Sequence, residues 1–258
     1  MGVKQLLDLR EKVAIVTGGS RGLGLQIAEA LGEMGAKLAI TARKKDELDQ
    51  AVEKLGRLGI ASQSYVCDIG KREAIAPVAE EILKRFGRVD VLVNNAGATW
   101  GAPAEDHPLD AWDKLVSVNL SGAFVLTQIV ARRSMIPAKW GRIINIASVA
   151  GLIGQDPRFA PTVAYTATKH GVVGLTRQLA AEWGVHGITV NAICPGFFPS
   201  KMTQATLATT GEKIRELTPT RRLGNDEDLK GLAVLLASEA GRHITGQAIA
   251  VDGGATIV

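Results

Sequence analysis

The chain has 258 residues, 46% of them hydrophobic and 22% charged, with 29 Gly and two Cys. That excludes a disordered or fibrous chain and a disulfide-stapled secreted module, and it suffices for one large α/β domain with a core of its own. The charge balance, 30 Lys and Arg against 26 Asp and Glu, leaves +4, with 4% aromatics and no basic run; this suits an anionic small ligand at least as well as nucleic acid, and no nucleic-acid partner is expected.

Met1 to Leu9 holds one Lys and no apolar signal region, so no secretory leader is expected. No apolar run approaches the length of a membrane span. Cys67 and Cys194 each lie in or beside a strand-like apolar run and read as buried free thiols of a reducing compartment. A cytoplasmic protein with no membrane partner and no metal is expected.

The first predicted strand is Val13–Thr17, followed by Thr17-Gly18-Gly19-Ser20-Arg21-Gly22-Leu23-Gly24 and then apolar Ile27, Ala28 and Leu31 at helical spacing. A strand that turns through glycines into a helix offers free backbone N–H groups and a positive dipole end to an anion such as a pyrophosphate. Gly18, Ser20, Arg21, Gly22, Leu23 and Gly24 are the candidates for that contact. The second strand, Lys37–Thr41, runs into Ala42-Arg43-Lys44-Lys45 with no acid before Asp46. An NAD site usually places a carboxylate there for the ribose 2′-hydroxyl, whereas an NADP site supplies Arg for the 2′-phosphate. Arg43 is therefore the candidate phosphate clamp, with Arg21 reaching the same phosphate from the glycine loop, and NADP(H) is the expected cofactor. The competing reading is that these cations merely solvate a helix start.

The third strand is Ala61–Val66, and the fourth, Val89–Asn94, ends in Asn94-Asn95-Ala96-Gly97, with Asn119 in the helical stretch beyond. After the fifth, Arg142–Ala147, comes Ser148, then Tyr165 and Lys169 four apart on one face of a long helix. A carbonyl receiving hydride needs a proton donor, and a Lys ammonium one turn away, together with the positive charge of an oxidised nicotinamide, would lower the phenol by about 3 units. Singly, each residue has a plainer reading: a packed Tyr, a Ser cap, a solvated Lys, an Asn bonded to nearby backbone.

The sixth strand, Ile188–Ile193, leads into Pro195-Gly196-Phe197-Phe198-Pro199 and a stretch over 196–220 read as a substrate lid or, alternatively, as a surface helix pair. Ala248–Val251 is the seventh strand. Because most of the strands are almost continuously apolar and alternate with helices, the chain reads as a single domain over 1–258: a Rossmann-type, doubly wound parallel sheet with helices on both faces.

Taken together, the Thr-Gly-x-x-x-Gly-x-Gly loop, the Asn-Asn-Ala-Gly turn, Ser148, the Tyr165-x-x-x-Lys169 pair, Pro195-Gly196 and Asp252-Gly253-Gly254 resemble the short-chain dehydrogenase/reductase family over essentially the whole length. The resemblance implies Tyr165 as general acid and base, Ser148 as a donor to the substrate oxygen, Lys169 on the nicotinamide ribose and Asn119 holding a water. It further implies Asp68 and Ile69 near the adenine, Asn95, Ala96 and Gly97 along the ribose and diphosphate, and Pro195, Gly196, Phe198 and Ser200 along the nicotinamide. It also implies a homotetramer. The stretch 155–161, between Ser148 and Tyr165, should border the substrate. Trp100 and Phe198 are candidate apolar walls, Trp100 alternatively packing a helix, and Arg158 or Lys201 a candidate anion partner. The 3-oxoacyl reductase branch associated with rhamnolipid synthesis is similar, as are gluconate 5-dehydrogenase-like members. The expected function is thus an NADPH-dependent ketone reductase acting on 3-oxoacyl thioesters or comparable ketones, with a polyol or sugar-acid dehydrogenase or a non-catalytic dinucleotide sensor as alternatives.

Overall fold

The computed structural model describes residues 1–158 and 160–258, so Phe159, within the expected pocket-bordering stretch, lies outside the described residues. After a short helix α1 (Val3–Leu6), the units alternate: β1 (Val13–Thr17), α2 (Gly22–Glu33), β2 (Lys37–Ala42), α3 (Lys45–Arg57), β3 (Ser62–Val66), α4 (Arg72–Phe86) and β4 (Val91–Asn94). There follow α5 (Leu109–Val116), α6 (Gly122–Val130), α7 (Ile136–Ala138), β5 (Gly141–Ile146), α8 (Val163–Trp183), β6 (Ile188–Pro195), α9 (Gln204–Leu217), α10 (Lys230–Ala237) and β7 (Ala248–Val251).

The seven strands form one sheet in the order β3-β2-β1-β4-β5-β6-β7, parallel throughout. Alternate side chains feed the two faces. Ala14 and Val16 of β1 join Ile27 and Leu31 of α2, Leu48 and Leu55 of α3 and Ala233 of α10 in one core, while Ile15 between them joins Ile75 and Ile82 of α4, Leu126 and Val130 of α6 and Leu179 of α8 in the other. Edge strand β3 departs from the apolar pattern: Ser62, Gln63 and Ser64 leave it partly exposed, as a sheet edge facing solvent allows.

Two π turns, Ser117–Ser121 and Ala131–Met135, join α5, α6 and α7 into one helix over Leu109–Ala138. Here the sequence expectation needs correcting, because this helix contains a stretch apolar and long enough to cross a membrane by length and composition. Leu126, Val130 and Met135 of this helix are buried in the second core, which accounts for much of its apolarity as packing against the sheet.

The chain order reverses direction between β1 and β4, whose carboxyl ends lie side by side. In open parallel sheets that reversal opens a crevice, and ligands bind there.

Candidate active site

A cavity of about 360 Å³ occupies that crevice. One wall is the glycine loop. Gly18 has φ +63, a left-handed conformation, and a Cβ there would stand 2.9 Å from Asn95 Nδ2. Asn95 locks the loop to β4: its side-chain amide donates to the carbonyls of Thr17 (2.9 Å) and Gly18 (3.2 Å), and Thr17 Oγ1 accepts from the N–H groups of Asn95 and Ala96. Gly24, expected to touch the nucleotide, does not line the cavity. It is a packing glycine, with no room for a Cβ between Gly18 O and Asn95 Nδ2. The other expected nucleotide contacts, Gly18, Ser20, Arg21, Gly22, Leu23, Arg43, Asp68, Ile69, Asn95, Ala96, Gly97, Tyr165, Lys169, Pro195, Gly196, Phe198 and Ser200, all border the cavity. A bare-backbone turn at a helix start, with a left-handed glycine packed against β4, fits a pyrophosphate.

At the end of β2 the cavity wall carries Arg43 and Lys44 beside Arg21. Arg43 has no ion-pair partner among the described residues. Arg21 differs from expectation: its Nη1 lies 2.7 Å from Glu47 Oε1, and Lys44 Nζ approaches the same carboxylate at 3.4 Å. Glu47, in the first turn of α3, also lines the cavity. The sequence reading missed it. Its position four residues after Arg43, on the turn that faces the glycine loop, was the available signal.

The catalytic candidates converge from β5 and α8. Ser148 caps a 3₁₀ turn at Val149–Gly151, its Oγ accepting from Ala150 N–H at 3.1 Å, which leaves the hydroxyl proton free to donate. Tyr165 and Lys169 share one face of α8, with Nζ 5.5 Å from the phenol ring centroid. Lys169 is 4% exposed and donates to Ile146 O at 2.7 Å. Burial lowers its ammonium to about 8. The same burial raises the Tyr165 phenol, against a hydrogen bond from Ser148. Nζ is drawn to the β5 carbonyl, and desolvation is the largest influence on Tyr165 in the chain alone, whereas the expected depression belongs to the complex with oxidised nucleotide. Cys194, buried beside this group, has its thiol pushed up to about 11.

Asn119 is buried and does not line the cavity. Its amide closes on the Ala98 backbone in both directions (2.8 and 3.0 Å) and donates to Thr168 Oγ1, while that hydroxyl donates to Tyr165 O. The π turn at Ser117–Ser121 holds it there. Ser200 likewise turns inward, exchanging hydrogen bonds with Thr203, a cavity residue the sequence reading passed over. Of the substrate-side candidates, Phe198 and Lys201 line the cavity, whereas Trp100 is 48% exposed and stands off it. Arg158 also stands off it, clamped on Asp156, whose carboxyl it holds at about 2. Lys114 and Val118 of the α5 region are further unforeseen wall residues. The 196–220 stretch holds one helix among the described residues, α9, so the surface helix pair weighed as the alternative to a lid is not formed.

The model of the family described as short chain dehydrogenase matches residues 12–211. The chain belongs to this family. A short chain dehydrogenase is an oxidoreductase acting between C–OH and C=O groups, and the relatives agree with that class. A gluconate 5-dehydrogenase of Gluconobacter oxydans is 37% identical over all of this chain and 99% of its own length. A 3-oxoacyl-acyl-carrier-protein reductase of Staphylococcus epidermidis is 38% identical, covering 94% of this chain and 98% of its own. Among solved structures, a gluconate 5-dehydrogenase from Burkholderia cenocepacia in complex with NADP and tartrate superposes with a TM-score of 0.93 at 33% identity, covering both chains fully.

Proposed function

We propose that this short chain dehydrogenase interconverts a ketone and a secondary alcohol with NADP(H), with Tyr165, Ser148 and Lys169 as its catalytic group. The observation that carries the reading is one cavity with three cations, Arg21, Arg43 and Lys44, beside the glycine loop at one extreme and Tyr165 with the buried Ser148 and Lys169 at the other. The NADP in the B. cenocepacia relative supports the cofactor. A nucleotide sensor would have no use for a Tyr on the cavity wall with a buried Lys one turn away.

Bound NADPH supplies the hydride for reduction, and NADP⁺ accepts it in reverse. Ser148 donates its hydroxyl proton as a hydrogen bond to the carbonyl oxygen and stabilises the charge that develops there. Tyr165 delivers its phenolic proton to that oxygen in reduction and takes it back in oxidation. Lys169 holds positive charge one turn away, and Asn119 acts as a positioning residue through Thr168 and the Ala98 strap. Gly18, Gly22, Arg21, Arg43 and Lys44 would hold the phosphates, and Asp68 and Ile69 the adenine side.

For the substrate, a 3-oxoacyl thioester or comparable ketone is supported by the reductase relatives and by apolar Phe198 and Met202 on the wall. A second reading, a sugar acid or polyol, is favoured by Lys201, a wall cation with no partner among the described residues, and by the gluconate dehydrogenase relatives. The test is nicotinamide absorbance with β-ketoesters and 3-oxoacyl thioesters against NADPH, and with gluconate and polyols against NADP⁺. Turnover in one panel assigns the class; turnover in neither overturns the enzyme reading. The same proposal includes a cytosolic homotetramer, supported by the exposed apolar Trp112 and Phe124 on the long helix and the free Cys67 and Cys194, with light scattering to count the subunits.

A further inference from the structure

Three cations meet at the end of β2, yet the space between two of them is already taken by a carboxylate. Glu47 Oε1 is 2.7 Å from Arg21 and 3.4 Å from Lys44. Its side chain is 22% exposed and borders the cavity together with Arg21, Arg43 and Lys44. Only Arg43 of the three cations lacks a partner among the described residues. A 2′-phosphate entering this corner would bring up to two negative charges against a fixed carboxylate and would have to share or displace it to engage Arg21. A ribose 2′-hydroxyl entering the same corner would meet an acceptor.

We infer that Glu47 sets the nucleotide selectivity of the enzyme: its carboxylate stands in for the phosphate on Arg21 and Lys44, weakens NADPH binding and gives NADH a hydrogen-bond acceptor. This rests on the NADP(H) reading above. The corner therefore serves both nucleotides, with Arg43 favouring the phosphorylated one and Glu47 moderating the preference. Specificity set by a repulsive group as well as an attractive one has this form.

The inference is tested by calorimetric binding of NADPH, NADH, 2′,5′-ADP and 5′-AMP to the purified enzyme, without turnover. Glu47→Gln keeps the side chain's shape and removes its charge. It is expected to tighten NADPH and 2′,5′-ADP about fivefold, the scale of a half-exposed charge contact, and to weaken NADH and 5′-AMP, which both carry the adenosine 2′-hydroxyl. The tightening should shrink at high salt. Equal changes for all four ligands, or none, overturn the role of Glu47. Arg43→Ala separates the two layers: it should weaken NADPH and 2′,5′-ADP far more than NADH and 5′-AMP. If it does so while Glu47→Gln shifts nothing, the NADP(H) reading stands and the moderating role falls. If Arg43→Ala weakens all four equally, the phosphate assignment itself fails.

Discussion

The two ends of the cavity are made from different materials. At the nucleotide end the wall is largely backbone and small residues, and its charges sit near solvent: Arg21 is 49% exposed at its side chain. At the catalytic end the groups are side chains taken out of water, with Lys169 brought down to about 8, Cys194 up to about 11, and the Tyr165 phenol raised. The difference teaches where each function draws its free energy. Binding uses backbone dipoles and screened charges that need little stabilisation from the fold, whereas the chemistry uses protonation equilibria that the fold holds displaced at a cost to its own stability.

The largest expected effect breaks the catalytic end alone. Tyr165→Phe removes the proton donor and leaves the ring, so turnover should fall about a hundred- to ten-thousand-fold while nucleotide affinity is kept. Steady-state rates alongside calorimetric binding measure both; a parallel loss of binding would mean that the two ends are not separable. Gly24→Ala breaks the nucleotide end instead. A methyl group there runs into Gly18 O and Asn95 Nδ2, and forced displacement of the loop should cost about 3 kcal/mol of stability and weaken nucleotide binding. Urea denaturation checks the first and calorimetry the second.

The nucleotide end was also the more legible in sequence. Glycine spacing after a strand reports backbone geometry directly, so the loop, the strand ends and Arg43 could be placed from residue order. Gly24 was misread because a glycine that permits contact with a ligand and one that permits contact between elements look alike in a motif. At the catalytic end residue identities were legible and their states were not. The direction in which the Tyr165 phenol is shifted is set first by desolvation, and that depends on what the fold packs around α8. Glu47, Lys114 and Thr203 escaped for the same reason: which wall a helix turn faces is a property of packing. Five of the strand assignments differ from the observed ones only at their ends, and β1 and β7 coincide.

Lys169→Met sharpens the argument about stored cost. The folded ammonium has a value near 8 against 10.5 in an unfolded chain, so the unfolded state binds the proton more tightly. Below pH 8 this opposes folding fully, and the opposition fades as pH rises from about 8 to 10.5. The penalty is about 3 kcal/mol by the size of the displacement, less about 1 for the lost bond to Ile146 O. Near pH 7 the variant should therefore be about 2 kcal/mol more stable than the native enzyme while losing activity. That advantage should narrow steadily in urea titrations above pH 8. A constant difference across that range would show that the ammonium is not the source.

The smallest effects come where two cations of the substrate side are compared. Arg158 already holds Asp156 in a two-nitrogen clamp off the cavity wall, 75% exposed at its side chain, whereas Lys201 borders the cavity without a partner among the described residues. A guanidinium engaged locally has little to offer an incoming carboxylate, and exposed pairs of this kind contribute little to folding. Arg158→Ala should thus change stability by less than about 0.5 kcal/mol and leave KM for any acidic substrate unchanged. Lys201→Ala should raise KM for an acid a few-fold, about 1 kcal/mol for a half-solvated charge contact, and leave an uncharged ketone untouched. An increase from Arg158→Ala instead would mean that the 155–161 loop releases Asp156 on substrate binding. The catalytic end would then share the feature assigned to the nucleotide end, a cation kept occupied by a carboxylate until an anion arrives.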